Sequence, residues 1–371
     1  MLIQNAKAFI NGKFQEKTDL LIRDGRISAI GTGLAAEGEE LLDLGGDLLL
    51  PGFVDVHIHA FKGMDAMQGE EAVRHMSREL KKVGVAAFLP TTMSASPEDT
   101  VKALAGVKAV MERPEPDGAI VLGAHMEAPF LAEAKAGAQL KQYFADPNEE
   151  NWQRYTCGLE SVVRLITMAP ERAGAMEFIS ALTKKGITVS IGHTTADAET
   201  THAAAEAGAT HVTHTFNAQT PLNHRAPGVP GAALVDDRLQ CEVISDGIHL
   251  HPDIVKLIIR TKGKEKLVAI TDAMEAAGMP DGQYQLGGQE VFVHEGAARL
   301  KDGTLAGSTL TMIRAFQNLI RFGATPEEAA LMTTKTPALS IGNEELGEIE
   351  LGAPAIFSRF DENYAFKGTV G

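Results

Sequence analysis

The sequence predicts an α/β fold in which a (β/α)8 TIM-like barrel carries a small β-sandwich domain formed by both chain ends. Three observations predict it. Eight short apolar runs between residues 53 and 272 each give way to an Ala-, Glu- and Lys-rich or loop-like stretch, the alternation expected of a parallel sheet with crossover helices. The first fifty residues read as strands and turns without a helical stretch, and "GEIELGAPAIFSRFDENYAFKGTVG" at the other end returns to that texture. No Gly-x-Gly-x-x-Gly and no Gly-x-x-x-x-Gly-Lys-Ser/Thr stands between a strand and a helix, so a doubly wound nucleotide-binding sheet lacks its phosphate loop.

In chain order, "LIQNAKAFI" runs into Asn11-Gly12 and "DLLIRDGRISAIG" turns at Asp24-Gly25, two hairpin signals. The small β domain is therefore expected over residues 1–50 plus 345–371, and the barrel over 51–344. Barrel strands are expected at 53–57, 86–91, 120–127, 163–168, 188–193, 211–215, 240–245 and 267–272. The Gly-rich segment "GMPDGQYQLGGQEVFVHEGAARLKDGTLAGS" reads as hairpins, and two helices follow it. The second of these starts at Thr325 as N-cap with Pro326 at the first helical position.

Composition narrows the function. Of 371 residues 44% are hydrophobic, enough for a large core, and 34 Lys plus Arg against 49 Asp plus Glu give a net charge of −15. Without a basic run, nucleic acid and anionic membrane surfaces are poor partners. An anionic small molecule is still admissible, since a metal ion and one or two arginines make a pocket locally positive. Cys157 and Cys241 have no partner at ligand spacing and are expected to be small buried hydrophobes. No signal-peptide core and no run of ~18 apolar residues occurs, so no membrane span is expected and the cytoplasm is the expected location.

In such a barrel the chemistry sits at the C-terminal ends of the strands. Those ends carry His57 and His59, His125 and Glu127, His193, His214, Asp246 and Asp272. Each has a bland reading. A His-x-His pair arises by chance among twelve histidines, although residues two apart on a strand share a face and can reach one ion. Glu127 is a buried carboxylate that pairs with a cation or binds a metal, and His193 and His214 are core histidines or ligands. Asp272 is an N-cap or a general base toward a water that a metal activates. His75 and His202 in helical stretches and His294 in the hairpin segment have no assigned function.

The segments "PGFVDVHIH", "HMEAPFLAEAKAGAQ", "IGHTTAD", "THTFNAQTPLNHRAPGVPGAAL", "SDGIHLHP", "ITDAM" and "DGTLAGSTLTM" resemble the amidohydrolase superfamily, and within it the N-acetylglucosamine-6-phosphate deacetylase family. The resemblance implies a main metal site of Glu127, His193 and His214, a second-ion pair in His57 and His59, and Asp272 as the catalytic carboxylate. It implies substrate contacts from Gln139, Asn217, the Ala218 backbone, His249 and the turn containing Leu305 and Ala306. Arg225 is implied to reach the phosphate in the neighbouring subunit of a homodimer. The cofactor implied is one or two divalent ions, Zn2+ first and Fe2+ the alternative. The chain reads "AFKG" after His59 where the family has a glycine-rich loop, has Ala226 beside Arg225, and lacks the usual Asp-Ala-Asp in "APAIFSRFD".

Three rivals accompany this reading. Another amidohydrolase that bridges two ions through a carboxylated lysine is disfavoured, because "LITMAPE" ends strand four without a lysine and Glu127 meets that need. A deacetylase for N-acetylgalactosamine 6-phosphate differs by one inverted hydroxyl. A non-catalytic sugar-phosphate sensor is the rival from another class, and it has no use for Asp272 together with three ligands.

Overall fold

A computed structural model describes all 371 residues. Eight parallel strands form the barrel: β1 (Phe53–Ile58), β2 (Val85–Thr92), β3 (Ile120–Val121 continued by Ala124–Met126), β4 (Val163–Met168), β5 (Thr188–Ile191), β6 (His211–Val212), β7 (Gln240–Ile244) and β8 (Leu267–Ile270). All eight fall on runs that the sequence marks, and they are almost wholly buried, as a barrel covered by helices requires. The break in β3 falls at Gly123, where a Cβ would stand 2.7 Å from the Val162 carbonyl oxygen.

One helix follows each strand: α1 (Glu70–Lys82), α2 (Pro97–Glu112), α3 (Glu149–Thr156), α4 (Ala175–Lys184), α5 (Ala198–Ala207), α6 (Gly228–Val235), α7 (Pro252–Lys266) and α8 (Met312–Phe322). Between β8 and α8 the Gly-rich segment forms a three-stranded antiparallel sheet, Gly282–Leu286, Gln289–His294 and Ala297–Arg299. The last expected helix is two: α9 (Pro326–Thr333), which starts in a capping box between Thr325 and Glu328, and α10 (Lys335–Ser340). Thr334 leaves helical geometry between them, and Pro337 has no N–H with which to continue the α9 ladder. No helix is long and apolar enough to cross a membrane.

The chain ends meet in one sheet, in the order Phe366–Val370, Phe357–Phe360, Leu48–Pro51, Leu2–Ile10, Lys13–Arg23, Arg26–Gly31, with Leu41–Asp43 beside Leu2–Ile10. The expected sandwich thus takes the form of seven strands joined by hydrogen bonds. Side chains alternate between its faces. Leu49 and Phe357 join a 14-residue core that belongs to the sheet, whereas Leu48, Leu50 and Phe360 join the 71-residue core of the barrel.

β1 and β8 close the barrel by an unusual seam. Instead of a continuous ladder, the buried Asp55 carboxylate accepts from the Thr271 hydroxyl at 2.5 Å and from the amides of Thr271 and His57, both at 3.3 Å. Main-chain pairing takes over at the top, where the Asp272 amide donates to His57 O at 2.8 Å and the His59 amide to Ala273 O at 3.0 Å. Two groups of polar residues are thereby held side by side at the barrel mouth.

Cys241 is buried as expected, and burial pushes its thiol up to about 11. Cys157 is exposed, contrary to expectation. It occupies the left-handed cap position of α3, at φ 48°, which turns its side chain away from the core.

Candidate active site

Glu127, His193 and His214 converge. Nε2 of His193 and of His214 each lie 3.1 Å from Oε1 of Glu127 and 3.1 Å from one another. Four-coordinate ions with bonds of ~2.0–2.1 Å hold their donor atoms about 3.3 Å apart, so the three atoms already stand at ligand spacing. His57, His59 and Glu127 make a second group: Nε2 of His59 is 3.2 Å from Oε2 of Glu127, and Nε2 of His57 is 3.5 Å from Oε1. The two imidazole nitrogens are 3.4 Å apart. Glu127 is common to both groups, and Asp272 Oδ1 completes the second at 3.2 Å from His59 and 3.5 Å from His57.

The donor set suits divalent ions of the Zn2+ or Fe2+ kind. Burial alone would depress His57 and His59, yet the carboxylates of Asp272 and Glu127 hold His59 well above its ordinary value and, together with Glu242, raise His57 to about 9. Glu127 is held well below the ordinary carboxylate range by the histidines around it, against the opposing effect of burial. Histidine protons are the positive charge in direct contact with these carboxylates. A divalent ion supplies that charge and leaves the ring nitrogens free to bind.

Three of the four far nitrogens are anchored, while Nδ1 of His214 is buried without a hydrogen-bond partner. Nδ1 of His59 faces Thr91 O at 3.2 Å, Nδ1 of His193 faces Lys135 O at 2.8 Å, and Nδ1 of His57 faces Glu242 Oε2 at 3.1 Å. These contacts set which nitrogen each ring offers. Gly192, next to His193, has no room for a Cβ, which would stand 2.6 Å from Cβ of Thr213. His125 lies on the strand that Glu127 directly follows but is not part of either group. Its ring lies edge-on to His57 with centroids 4.5 Å apart, its Nε2 contacts the Thr167 hydroxyl at 2.8 Å, and burial holds it well below the usual imidazole range.

Beside the two groups opens a cavity of about 300 Å³, lined by Gln139, Asn217, Ala218, His249, Thr304 and Leu305 as well as by His59, Glu127, His193, His214 and Asp272. Lys135 is its one lining Lys or Arg. Gln139 is buried and spans two partners: it donates to Glu127 Oε2 at 2.5 Å and accepts from the Ser94 amide at 2.7 Å. Asp246 grips the His249 ring, with Nδ1 at 2.6 Å from Oδ2.

One expected substrate contact, Ala306, lies elsewhere, and Arg225, expected to reach a neighbouring subunit's site, stands outside its own. Ala306 is fully buried, with its amide donating to Ala298 O, so it supports the turn from behind while Thr304 and Leu305 face the cavity. Arg225 is exposed and lines no part of the cavity of its own chain. The "AFKG" segment is a tight hairpin of Ala60–Phe61 and Met64–Asp65, with Lys62 paired to Glu79 at 2.7 Å. Asp55 and Glu242 went unmarked in the sequence, although a carboxylate inside each apolar run, "FVDVHI" and "QCEVI", is a signal in itself.

Comparison with known proteins agrees with this geometry. A family model described as the amidohydrolase family matches residues 48–368. The chain is 36% identical to an N-acetylglucosamine-6-phosphate deacetylase of Lysinibacillus sphaericus, over 100% of this chain and 96% of that protein. It is also 36% identical to an N-acetylgalactosamine-6-phosphate deacetylase of Escherichia coli O157:H7, over 91% and 88%. Among solved structures, a mutant N-acetyl-D-glucosamine-6-phosphate deacetylase of Mycobacterium smegmatis in complex with N-acetyl-D-glucosamine-6-phosphate superposes with a TM-score of 0.92 at 31% identity, covering 100% of this chain and 97% of that one. The Pasteurella multocida N-acetylglucosamine-6-phosphate deacetylase gives 0.93 at 29%, with the same coverage.

Proposed function

Because the chain belongs to the amidohydrolase family, we infer from its site that it is a metal-dependent hydrolase of an N-acetylated amino-sugar phosphate. It hydrolyses the N-acetyl group of N-acetylglucosamine 6-phosphate to glucosamine 6-phosphate and acetate. The observation that carries the reading is the meeting of two ligand groups at Glu127 with Asp272 beside them, in one cavity at the barrel mouth.

Glu127, His193 and His214 would hold the main ion, Zn2+ first, and His57 and His59, with Glu127 shared, a second. A divalent ion in this place makes water acidic enough to attack at neutral pH and polarises the amide carbonyl. Asp272 takes the proton from the attacking water and returns it to the departing nitrogen, which leaves as an amine only when protonated. It is placed for both steps, since its carboxylate lines the cavity beside His57 and His59.

In the same cavity the substrate phosphate meets Lys135, the Asn217 side chain and the Ala218 amide, which donates to no other group of the chain. Arg225, exposed and free of any ion pair, adds a two-pronged grip from a neighbouring copy in a homodimer. Residues 51–344 form the catalytic unit, with 1–50 and 345–371 as its β companion.

The test is release of free amine from N-acetylglucosamine 6-phosphate, with the galactosamine epimer in parallel. Release that stops with chelator and returns with Zn2+ is expected. Metal-loaded protein that releases no amine from the gluco substrate would overturn the assignment.

A further inference from the structure

Glu242 sits inside the apolar run of β7 and is fully buried. A carboxylate in that position is costly unless its oxygens are engaged. Its Oε2 faces Nδ1 of His57 at 3.1 Å and accepts from the His214 amide at 3.3 Å, and its Oε1 faces Nδ1 of His211 at 3.4 Å. One side chain therefore touches the ring of a ligand in the second group and the main chain of a ligand in the first. It lines no part of the cavity, so the reaction does not use it directly.

We propose that Glu242 is the positioning residue for the second ion: it fixes the nitrogen that His57 presents, and pins the main chain at His214. A neutral imidazole carries one proton, and only the other nitrogen can bind an ion. An ionised carboxylate accepts but never donates, so it holds the His57 proton on Nδ1. Nε2 is then the ligand atom, 3.5 Å from both Glu127 Oε1 and Asp272 Oδ1. His59 and His193 take the same instruction from main-chain carbonyls, of Thr91 and Lys135. His57 alone takes it from a side chain that substitution can remove. The proposal rests on the metal-dependent reading above, and its test reads ion binding, whereas that reading fails by an absence of amine release.

Glu242→Met keeps the volume and removes both acceptors. Glu242→Gln keeps one acceptor oxygen, which can stay on His57. His211 donates from Nε2 to Ser340 O at 3.2 Å, which leaves its Nδ1 to accept from the new amide. Ion-free protein is titrated with Zn2+ and bound ion is measured by elemental analysis after dialysis. Wild type is expected to take two ions. The Met variant is expected to keep the first and to bind the second roughly 10–100-fold more weakly, with Gln recovering most of the loss. A space-filling role would leave Met and Gln alike; that result, or a wild-type chain that never takes a second ion, overturns the proposal. If the Met variant does not fold, histidine nitrogen NMR of Zn-loaded wild type decides. A proton on Nδ1 of His57 supports the proposal, and an ion on Nδ1 overturns it.

Discussion

Asp272→Asn separates proton transfer from metal binding. The amide keeps the size of the carboxylate and one acceptor oxygen but can neither take up the proton of water nor return it to nitrogen. A positioned acid or base contributes roughly 10²–10⁴-fold, or about 3–5 kcal/mol of barrier at ~1.36 kcal/mol per tenfold. A loss within that range is expected, because Glu127, the other carboxylate lining the cavity, is not free to substitute. Glu127 is committed to His193, His214, His59 and Gln139, and the His249 ring is held by Asp246. Asp272 Oδ1 lies near His57 and His59, so the ion held by Glu127, His193 and His214 is expected to remain. Turnover is read as acetate release at saturating substrate and Zn2+, with bound ion measured on the same sample. A variant within tenfold of wild type would refute the proton-transfer role. So would loss of the main ion along with activity, since Asp272 would then be a ligand first.

Two other expectations test the surroundings of the site. If Arg225 acts across a dimer, mixing inactive Arg225→Ala and Asp272→Asn chains restores about one quarter of the wild-type sites, since each mixed dimer rebuilds one; activity that stays at the level of the separate variants refutes the crossing. Glu79, hydrogen-bonded to Lys62 and Lys82, has its carboxyl lowered from 4.5 to about 2. A depressed carboxyl adds stability that is complete above its unfolded pKa and lost as pH falls from about 4.5 towards 2. Glu79→Gln is therefore expected to flatten the acid side of the urea-unfolding profile of ion-free protein within that window, and an unchanged slope would count against the anchoring of the Lys62 hairpin.

Much of this architecture is legible in the sequence because it is periodic. The eight barrel strands are apolar runs, and position at a strand end is enough to mark His57, His59, Glu127, His193, His214 and Asp272. What stays hidden is pairing over long separations. Asp55 and Thr271 are 216 residues apart, and His57 and Glu242 are 185 apart, so neither partner can be named from its own strand. Gln139 reads as a loop residue over the substrate, and only the folded chain shows its amide on Glu127. Ala306 misleads for the opposite reason. The turn it belongs to does face the cavity, but strand-like alternation sends Leu305 inward to the cavity and Ala306 into the core behind it.

The backbone at the mouth ties ion geometry to substrate geometry. His193, His214 and Asp272 each leave their strand in the left-handed region, at φ 47°, 28° and 50°. For residues other than glycine, that conformation costs about 1–3 kcal/mol each and persists only where neighbours enforce it. Here the carbonyl of each strained residue accepts a main-chain N–H from a cavity-forming loop: His193 O from Ala132 at 2.9 Å, His214 O from Asn217 at 2.9 Å, and Asp272 O from Ser308 at 2.7 Å. Those loops also carry Lys135 and Gln139, Asn217 and Ala218, and Thr304 and Leu305, which line the cavity. His57, His59 and Glu127 have no positive φ and sit on or directly after regular strand. A ligand that pressed on the loops would therefore bear first on His193, His214 and Asp272. His193, His214 and Asp272 are thus tied to the cavity-forming loops, while the His57 and His59 pair is held by the barrel itself.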